Sequence, residues 1–143
     1  MKLTAVLTAA VVATCLPGVD SFALDAGTPV VVTPLTTTAV TVDGMPIVLP
    51  RKDVQVVVSI YDIASGASLP VHKHPYPRYA YVLAGTLQVT KVETGETFTY
   101  EPGDFVVEMV DEWHKGASVG SGPVKLLVID QVEKGAQNTI LRQ

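Results

Sequence analysis

Apolar and polar residues alternate in short runs along most of this chain, and residues that favour turns separate the runs. The longest run is 54–63, in which Val56, Val58 and Ile60 share one face because successive side chains of a strand point to opposite faces. Asp43-Gly44 lies between two β-prone runs, which predicts a tight hairpin. Helical periodicity is weak, so the pattern predicts an all-β sandwich or barrel of short strands.

The predicted strands are bounded by glycine, proline and polar turn residues. They cover 30–33, 36–42, 45–49, 54–63, 79–83, 86–92, 96–100, 104–110 and 124–132. The tail over 134–143 is polar except for Ile140 and Leu141. We expect this tail to pack along a sheet edge or on a partner subunit.

Residues 1–23 have the features of a secretory signal peptide. Lys2 precedes an apolar run over 3–16, and Ser21 and Ala23 supply the small residues of a cleavage site. We therefore predict export with removal of this segment, and a periplasmic or secreted location. The alternatives are an uncleaved anchor helix and a lipoprotein modified at Cys15.

The mature chain would be one domain over 24–143. The whole sequence has 143 residues, of which 48% are hydrophobic, and a formal net charge of −4. It contains no cluster of lysine and arginine, which argues against a nucleic-acid partner. Nothing after the signal resembles a membrane span, so we expect no membrane contact once the signal is removed. The only cysteine, Cys15, leaves with the signal, and with it any disulfide or thiolate chemistry.

The three histidines of the chain are its best candidates for chemistry. His72 and His74 stand two residues apart, so both imidazoles point to the same face of a strand. His114 follows about one hairpin later and is the obvious further ligand. Neutral imidazole binds many divalent transition metals, and the pattern does not choose among Fe, Zn, Mn, Ni and Cu. We predict a metal site formed by these three residues.

Two stretches around these histidines resemble the two motifs of the cupin family. The first runs Gly66, five residues, His72, one residue, His74, three residues, Arg78, six residues, Gly85. The family has this spacing, with a glutamate where Arg78 stands.

The second stretch keeps the family's spacing between Gly103 and His114. Met109, Asp111 and Ser118 replace the proline, glycine and asparagine of the family's motif. The resemblance covers roughly residues 54–132 and implies a cupin-type double-stranded β-helix, a jelly-roll barrel with the metal inside. Since cupins often dimerise through sheet edges, it also implies a homodimer.

Arg78 is the main departure from the family, because arginine stays protonated and has no lone pair for a metal. One interpretation is that it turns outward into solvent. The other is that it binds a carboxylate or phosphate group of a bound molecule through two hydrogen bonds.

Glu108 interrupts an apolar run that leads toward His114. It is either a solvent-facing strand residue or a carboxylate inside the barrel, acting as a substitute ligand or a base. We therefore treat Arg78 and Glu108 as the candidate ligand-binding residues.

Two functions are compatible with these residues. The first is a metal-dependent enzyme, an oxygenase or isomerase acting on a small, anionic molecule; the resemblance supports it, because family members with three histidines and no glutamate include iron-dependent dioxygenases. The second is a non-catalytic module that binds or senses a small molecule. Hydrolysis by a serine or cysteine nucleophile is disfavoured, because no such nucleophile is paired with a base.

Overall fold

The computed structural model describes residues 30–143 and divides the chain into two compact units. The unit Leu35–Gln143 contains all the strands described below. Of the unit Met1–Pro34, residues 30–34 are described, and they form no strand or helix, so the predicted strand at 30–33 is wrong. The predicted signal peptide over 1–23 lies outside the described residues.

Within residues 30–143 the secondary structure consists of β-strands. They are β1 (Val54–Ile63), β2 (His72–Lys73), β3 (Arg78–Ala84), β4 (Leu87–Lys91), β5 (Thr97–Tyr100), β6 (Phe105–Val107), β7 (His114–Ser118), β8 (Val124–Glu133) and β9 (Ile140–Leu141). No helix in this part of the chain is long and apolar enough to cross a membrane.

The strands form two antiparallel sheets, which confirms the all-β, jelly-roll prediction. One sheet has the order β1-β8-β3-β6 and the other the order β5-β4-β7-β2-β9. Alternate residues of β3 and β8 point between the sheets and form the core with side chains of β4. The main members are Ala80, Val82, Leu87, Val89, Val106, Met109, Val124, Leu126 and Val128.

The predicted hairpin near Asp43-Gly44 is a turn without flanking strands. Gly44 has a positive φ of 84° and supplies the turn. Val40 and Pro46 form a single bridge, and the predicted strands at 36–42 and 45–49 are wrong. Proline has no N–H for a ladder, and the apolar side chains on either side stay exposed, so neither pairing nor core packing extends the hairpin.

The predicted strand at 104–110 ends early, at Val107. Beyond it the Glu108 N–H donates to the carbonyl of Arg78 at 2.9 Å, and the Asp111 N–H donates to the carbonyl of His74 at 2.8 Å. Asp111 has a positive φ of 59°, a conformation that aspartate tolerates better than most residues. This turn takes the chain out of the strand and directs Glu108 into the barrel.

Gly85 closes the first motif because the backbone there leaves no room for a side chain. Its φ is +76°, and a Cβ at this position would overlap the carbonyl oxygen of Pro123. Glycine therefore lets β3 turn tightly against the start of β8.

Candidate metal centre

The three predicted histidines lie together inside the barrel, beside the paired strands β2 and β7 of the five-stranded sheet. β2 pairs with β7 so that His72 is directly opposite His114, and His74 follows immediately after β2. The centroids of the three rings are between 4.6 and 4.9 Å apart. All three side chains are buried, so the structure brings the predicted ligands to one point away from bulk water.

Each histidine is held by a backbone carbonyl that contacts its Nδ1 atom. The partners are Pro70 O at 2.7 Å for His72, Asn138 O at 2.5 Å for His74, and Glu112 O at 2.8 Å for His114. Because a carbonyl only accepts, each neutral ring donates its single N–H from Nδ1 and keeps a lone pair on Nε2. Carbonyl partners of this kind fix the tautomer and orientation of metal-binding histidines.

Glu108 completes the cluster as a fourth donor. Its Oε2 lies 3.2 Å from Nε2 of His74 and 3.3 Å from Nε2 of His114, and its side chain is only 12% exposed. One ligand atom from each of the three histidines and Glu108 lies within 4.8 Å of the others. The solvent-facing interpretation of Glu108 is therefore wrong, and the carboxylate points into the barrel.

The charges and lone pairs of this cluster fit a divalent cation. Burial alone would raise the pKa of Glu108, but polar contacts with His114 and His74 and the charge of Arg78 outweigh it, so the pKa lies below its usual range and the carboxylate is ionised. Nε2 of His114 is buried without a hydrogen-bond partner among the described residues. Three imidazole lone pairs and a carboxylate facing one another are unfavourable alone, and a cation between them removes that cost.

Arg78 is buried at the inner face of β3 and pairs with Asp130. Its Nε donates to Oδ1 of Asp130 at 2.7 Å and its Nη2 donates to Oδ2 at 2.9 Å. Only 5% of Arg78 is exposed, so the outward-facing interpretation is wrong. Burial alone would lower the pKa of Arg78, but the hydrogen bonds to Asp130 and the charge of Glu108 raise it, and the guanidinium stays charged.

The remaining nitrogen of Arg78 faces the metal centre. Its Nη1 lies 3.5 Å from Nε2 of His74. The proposed contact between Arg78 and an anionic ligand stays a prediction, but the bidentate partner that the structure provides is Asp130. Arg78 shares one inner face of β3 with Ala80 and Val82, and this position brings it close to the histidines.

Asp130 is the site residue that sequence reasoning missed. It interrupts the late apolar strand at the position where β8 would otherwise place another inward side chain, two residues after Val128 and two before Val132. An acidic residue in register with the buried face of a strand was the available signal. Its partner could not be read from the sequence, because β3 and β8 are joined by a long-range pairing that sets Arg78 beside Asp130.

A small cavity adjoins the metal centre inside the barrel. Its volume is about 20 Å³, which is room for one or two water molecules. Apart from the site residues its walls are mostly apolar, formed by Tyr61, Leu69, Leu87, Val89, Gly116, Leu126 and Val128. A molecule bound at the centre without rearrangement of these side chains must be very small.

Comparison with known proteins agrees with this fold. The Cupin domain family matches residues 59–130. A comparison with curated proteins gives no match. Several solved structures are similar, and at about one fifth identity they show the fold alone.

Three solved structures illustrate the likeness. The polyketide cyclase RemF from Streptomyces resistomycificus is 20% identical with a TM-score of 0.52, over 62% of this chain and 62% of that chain. The oxalate decarboxylase of Lactobacillus farciminis, in a formate complex, is 21% identical with a TM-score of 0.51, over 60% of this chain and 26% of that one. The oxalate decarboxylase of Bacillus subtilis, described with Mn(II) centres, is 21% identical with a TM-score of 0.52, over 60% and 23%.

This chain thus spans less than two thirds of the length of each of those proteins. The family match covers half of the sequence and includes both histidine motifs, the paired strands β3 and β8, and Glu108. The chain belongs to the cupin family.

Proposed function

We propose that this protein is an exported cupin that binds one divalent transition metal through His72, His74, Glu108 and His114 and uses it on a small carboxylate, as an oxygenase or isomerase. The observation that carries the proposal is the convergence of four donor atoms within 4.8 Å, with all three histidine rings held by carbonyls at Nδ1. Such a set suits Fe, Zn, Mn, Ni or Cu.

The buried charges support an anionic ligand. A divalent ion and Arg78 together would carry three positive charges, while Glu108 and Asp130 carry two negative ones. The remaining positive charge lies where water is scarce, so electrostatic attraction to a small anion is strong there. A single carboxylate would neutralise the site.

The protein residues have separate tasks in this proposal. A bound divalent ion would supply Lewis acidity and open coordination positions. Glu108 offsets part of that charge, and the carbonyl contacts at Nδ1 keep the three imidazoles aimed at the centre through Nε2. The apolar walls formed by Leu87, Val89 and Leu126 exclude water from the bound anion.

One observation favours the second candidate, a non-catalytic module that binds or senses a small molecule. Among the residues that line the cavity, Glu108 belongs to the metal set and Arg78 is paired with Asp130. Apart from the histidines of the metal set, the other lining residues carry no carboxylate, imidazole or amine, and their one hydroxyl is that of Tyr61. Oxygen consumption by the Fe(II)-loaded protein with a bound acid distinguishes the enzyme from this module, which would bind the acid without turnover.

Metal analysis of protein purified without a histidine tag tests the proposal. We expect one ion per chain after reconstitution with the preferred metal, because the four donors form a single site. Intact mass of the exported form should begin near Leu24, if the predicted signal is removed. Absence of stoichiometric binding for all of Fe(II), Mn(II), Zn(II), Ni(II) and Cu(II) would overturn the metal site.

Calorimetry of the loaded protein tests the preference for carboxylates. Formate and acetate should bind more tightly than formamide and acetamide, which have the same shapes without the charge. The preference should disappear in the metal-free protein, where Glu108 repels an anion. Equal affinity for the acids and the amides would contradict the proposed ligand class.

We also propose a homodimer formed through β1. This ten-residue strand is an edge strand, paired with β8 alone in its sheet, and Val56, Val58 and Ile60 are at least half exposed along it. Positions 54–61 carry no charge, which leaves the edge open to pairing. Antiparallel pairing of two copies centred on Val57 would set Lys52 of each copy opposite Asp62 of the other.

A lysine in this strand should therefore abolish the dimer. Val58→Lys would place two charges inside the symmetric contact, whereas Val119→Lys changes an equally apolar, exposed residue outside β1. Light scattering after size exclusion should give a dimer for the wild type and Val119→Lys, and a monomer for Val58→Lys. A monomeric wild type, or the same mass for all three, would exclude this contact.

A further inference from the structure

The C-terminal tail contains one buried residue, Asn138. Its neighbours in 134–143 are exposed or half-buried, whereas Asn138 is only 6% exposed. A buried amide in an otherwise exposed segment calls for polar partners, because an unsatisfied amide is costly to bury. Those partners explain why the tail folds back onto the barrel.

Three kinds of contact link Asn138 to the metal centre and its surroundings: hydrogen bonds with His74, Asp130 and Tyr76. Its backbone carbonyl accepts a hydrogen bond from Nδ1 of His74 at 2.5 Å. Its Nδ2 donates to Oδ1 of Asp130 at 2.6 Å, the same oxygen that accepts from Nε of Arg78. Its Oδ1 accepts from the backbone N–H of Tyr76 at 2.9 Å.

The residues after Asn138 hold the segment in place on β2. Ile140 pairs with Lys73 and Leu141 pairs with His72, so β9 lies directly beside β2, which contains His72 and leads into His74. The N–H of Arg142 donates to the carbonyl of Val71 at 2.9 Å.

We infer that Asn138 is a positioning residue of the metal centre, and that residues 138–141 form a clasp that sets how tightly the centre holds its metal. The inference rests on the proposed metal-binding function. Asn138 touches neither the metal position nor a substrate; it acts by fixing the ring of His74 and the carboxylate of Asp130.

The physical consequence follows from which contacts the side chain makes. Without its side-chain amide, Asn138 loses the hydrogen bonds to Tyr76 and Asp130. Those bonds hold its backbone carbonyl against His74, so the His74 ring can then rotate. Asp130 also loses one hydrogen-bond donor, so its carboxylate holds Arg78 less firmly. Nη1 of Arg78, which lies 3.5 Å from Nε2 of His74, is then less firmly kept away from that nitrogen. Both changes weaken metal binding without removing a ligand.

Two substitutions test the clasp. Asn138→Asp keeps the size and the acceptor for Tyr76 but sets a carboxylate against Asp130, and Asn138→Ala removes both side-chain bonds. Gln137→Ala is the matched control, since Gln137 is the exposed neighbour. Metal affinity is measured by chelator competition with Zn(II), and the ligand field is measured from the visible absorption of the Co(II)-loaded protein.

We expect both Asn138 variants to bind Zn(II) roughly 10–100-fold more weakly, the range for loss of a partner that orients a ligand, and to show a shifted Co(II) spectrum. Gln137→Ala should match the wild type in both. If Asn138→Ala does not fold, Asn138→Asp carries the test. Unchanged affinity and spectrum would overturn the inference, whereas a wild type that binds no metal would instead overturn the proposed function.

Discussion

Replacing His114 with alanine should abolish stoichiometric metal binding. The residue supplies one of the four donors, and the methyl group of alanine has no lone pair to replace its imidazole. The loss of affinity should exceed the roughly 10–100-fold that follows loss of an orienting partner alone. His72→Ala should have an effect of the same size, because each of the two residues supplies one imidazole donor to the same cluster.

Chelator competition and elemental analysis measure this effect, and Lys73→Ala is the control. Lys73 lies between the ligands His72 and His74 but pairs with Asp111 at 3.1 Å on the outer side. Its loss should leave metal affinity unchanged. Full occupancy in the double variant His72→Ala/His114→Ala would exclude this centre.

Glu108→Gln tests whether the carboxylate belongs to the metal set. Glutamine keeps the shape and removes the charge, so a divalent ion would lose its one anionic protein ligand. We expect weaker binding of every divalent metal. Once loaded, the variant should show a larger preference for carboxylates over amides, since the negative charge of Glu108 no longer opposes the anion. A metal affinity equal to that of the wild type would show that Glu108 is not a metal ligand and has a structural role.

The metal-free protein should lose stability in mildly acid solution, partly through His72. Burial lowers the pKa of His72 from 6.5 to about 4. The unfolded chain therefore takes up this proton first, so the stability contributed by neutral His72 is present above pH 6.5 and is lost as the pH falls toward about 4. The melting temperature of chelator-treated protein should fall less steeply across this range in His72→Gln.

The histidine centre could be predicted from the sequence because it depends on local geometry. His72 and His74 are two residues apart, and the family spacing places His114 on a strand that pairs beside them. Strand alternation also predicts that Arg78 shares the inner face of Ala80 and Val82.

The charged partners of the centre could not be predicted in the same way. Glu108 reaches the histidines because β6 ends at Val107 and the chain turns, which breaks the alternation on which the prediction depends: Val106 and Val107 are both buried. Asp130 and Asn138 come from segments far along the chain, and only the β3–β8 register and the return of the tail bring them to Arg78 and His74.

The same long-range pairing explains how an arginine is tolerated where the family has a glutamate. The guanidinium is neutralised by Asp130, and the anionic donor near the metal comes from Glu108 instead. The carboxylate of the centre is therefore supplied by Glu108, from the turn after β6, and not by position 78 on β3.

Asp130→Asn should destabilise the metal-free protein by about 3–5 kcal/mol, the cost of leaving one member of a buried ion pair without its partner. Arg78 would keep its charge inside the barrel, with Nη1 3.5 Å from His74, and the site would also bind a divalent ion less well. Urea unfolding of the metal-free protein measures the change. Glu93→Gln is the control, because Glu93 pairs with Arg142 at 3.2 Å on the exposed surface outside β1, where such pairs contribute about 0–1 kcal/mol. Arg78→Met/Asp130→Leu removes both charges and should recover most of the lost stability. If Asp130→Asn costs no more than Glu93→Gln, the buried pair does not hold Arg78 in the barrel.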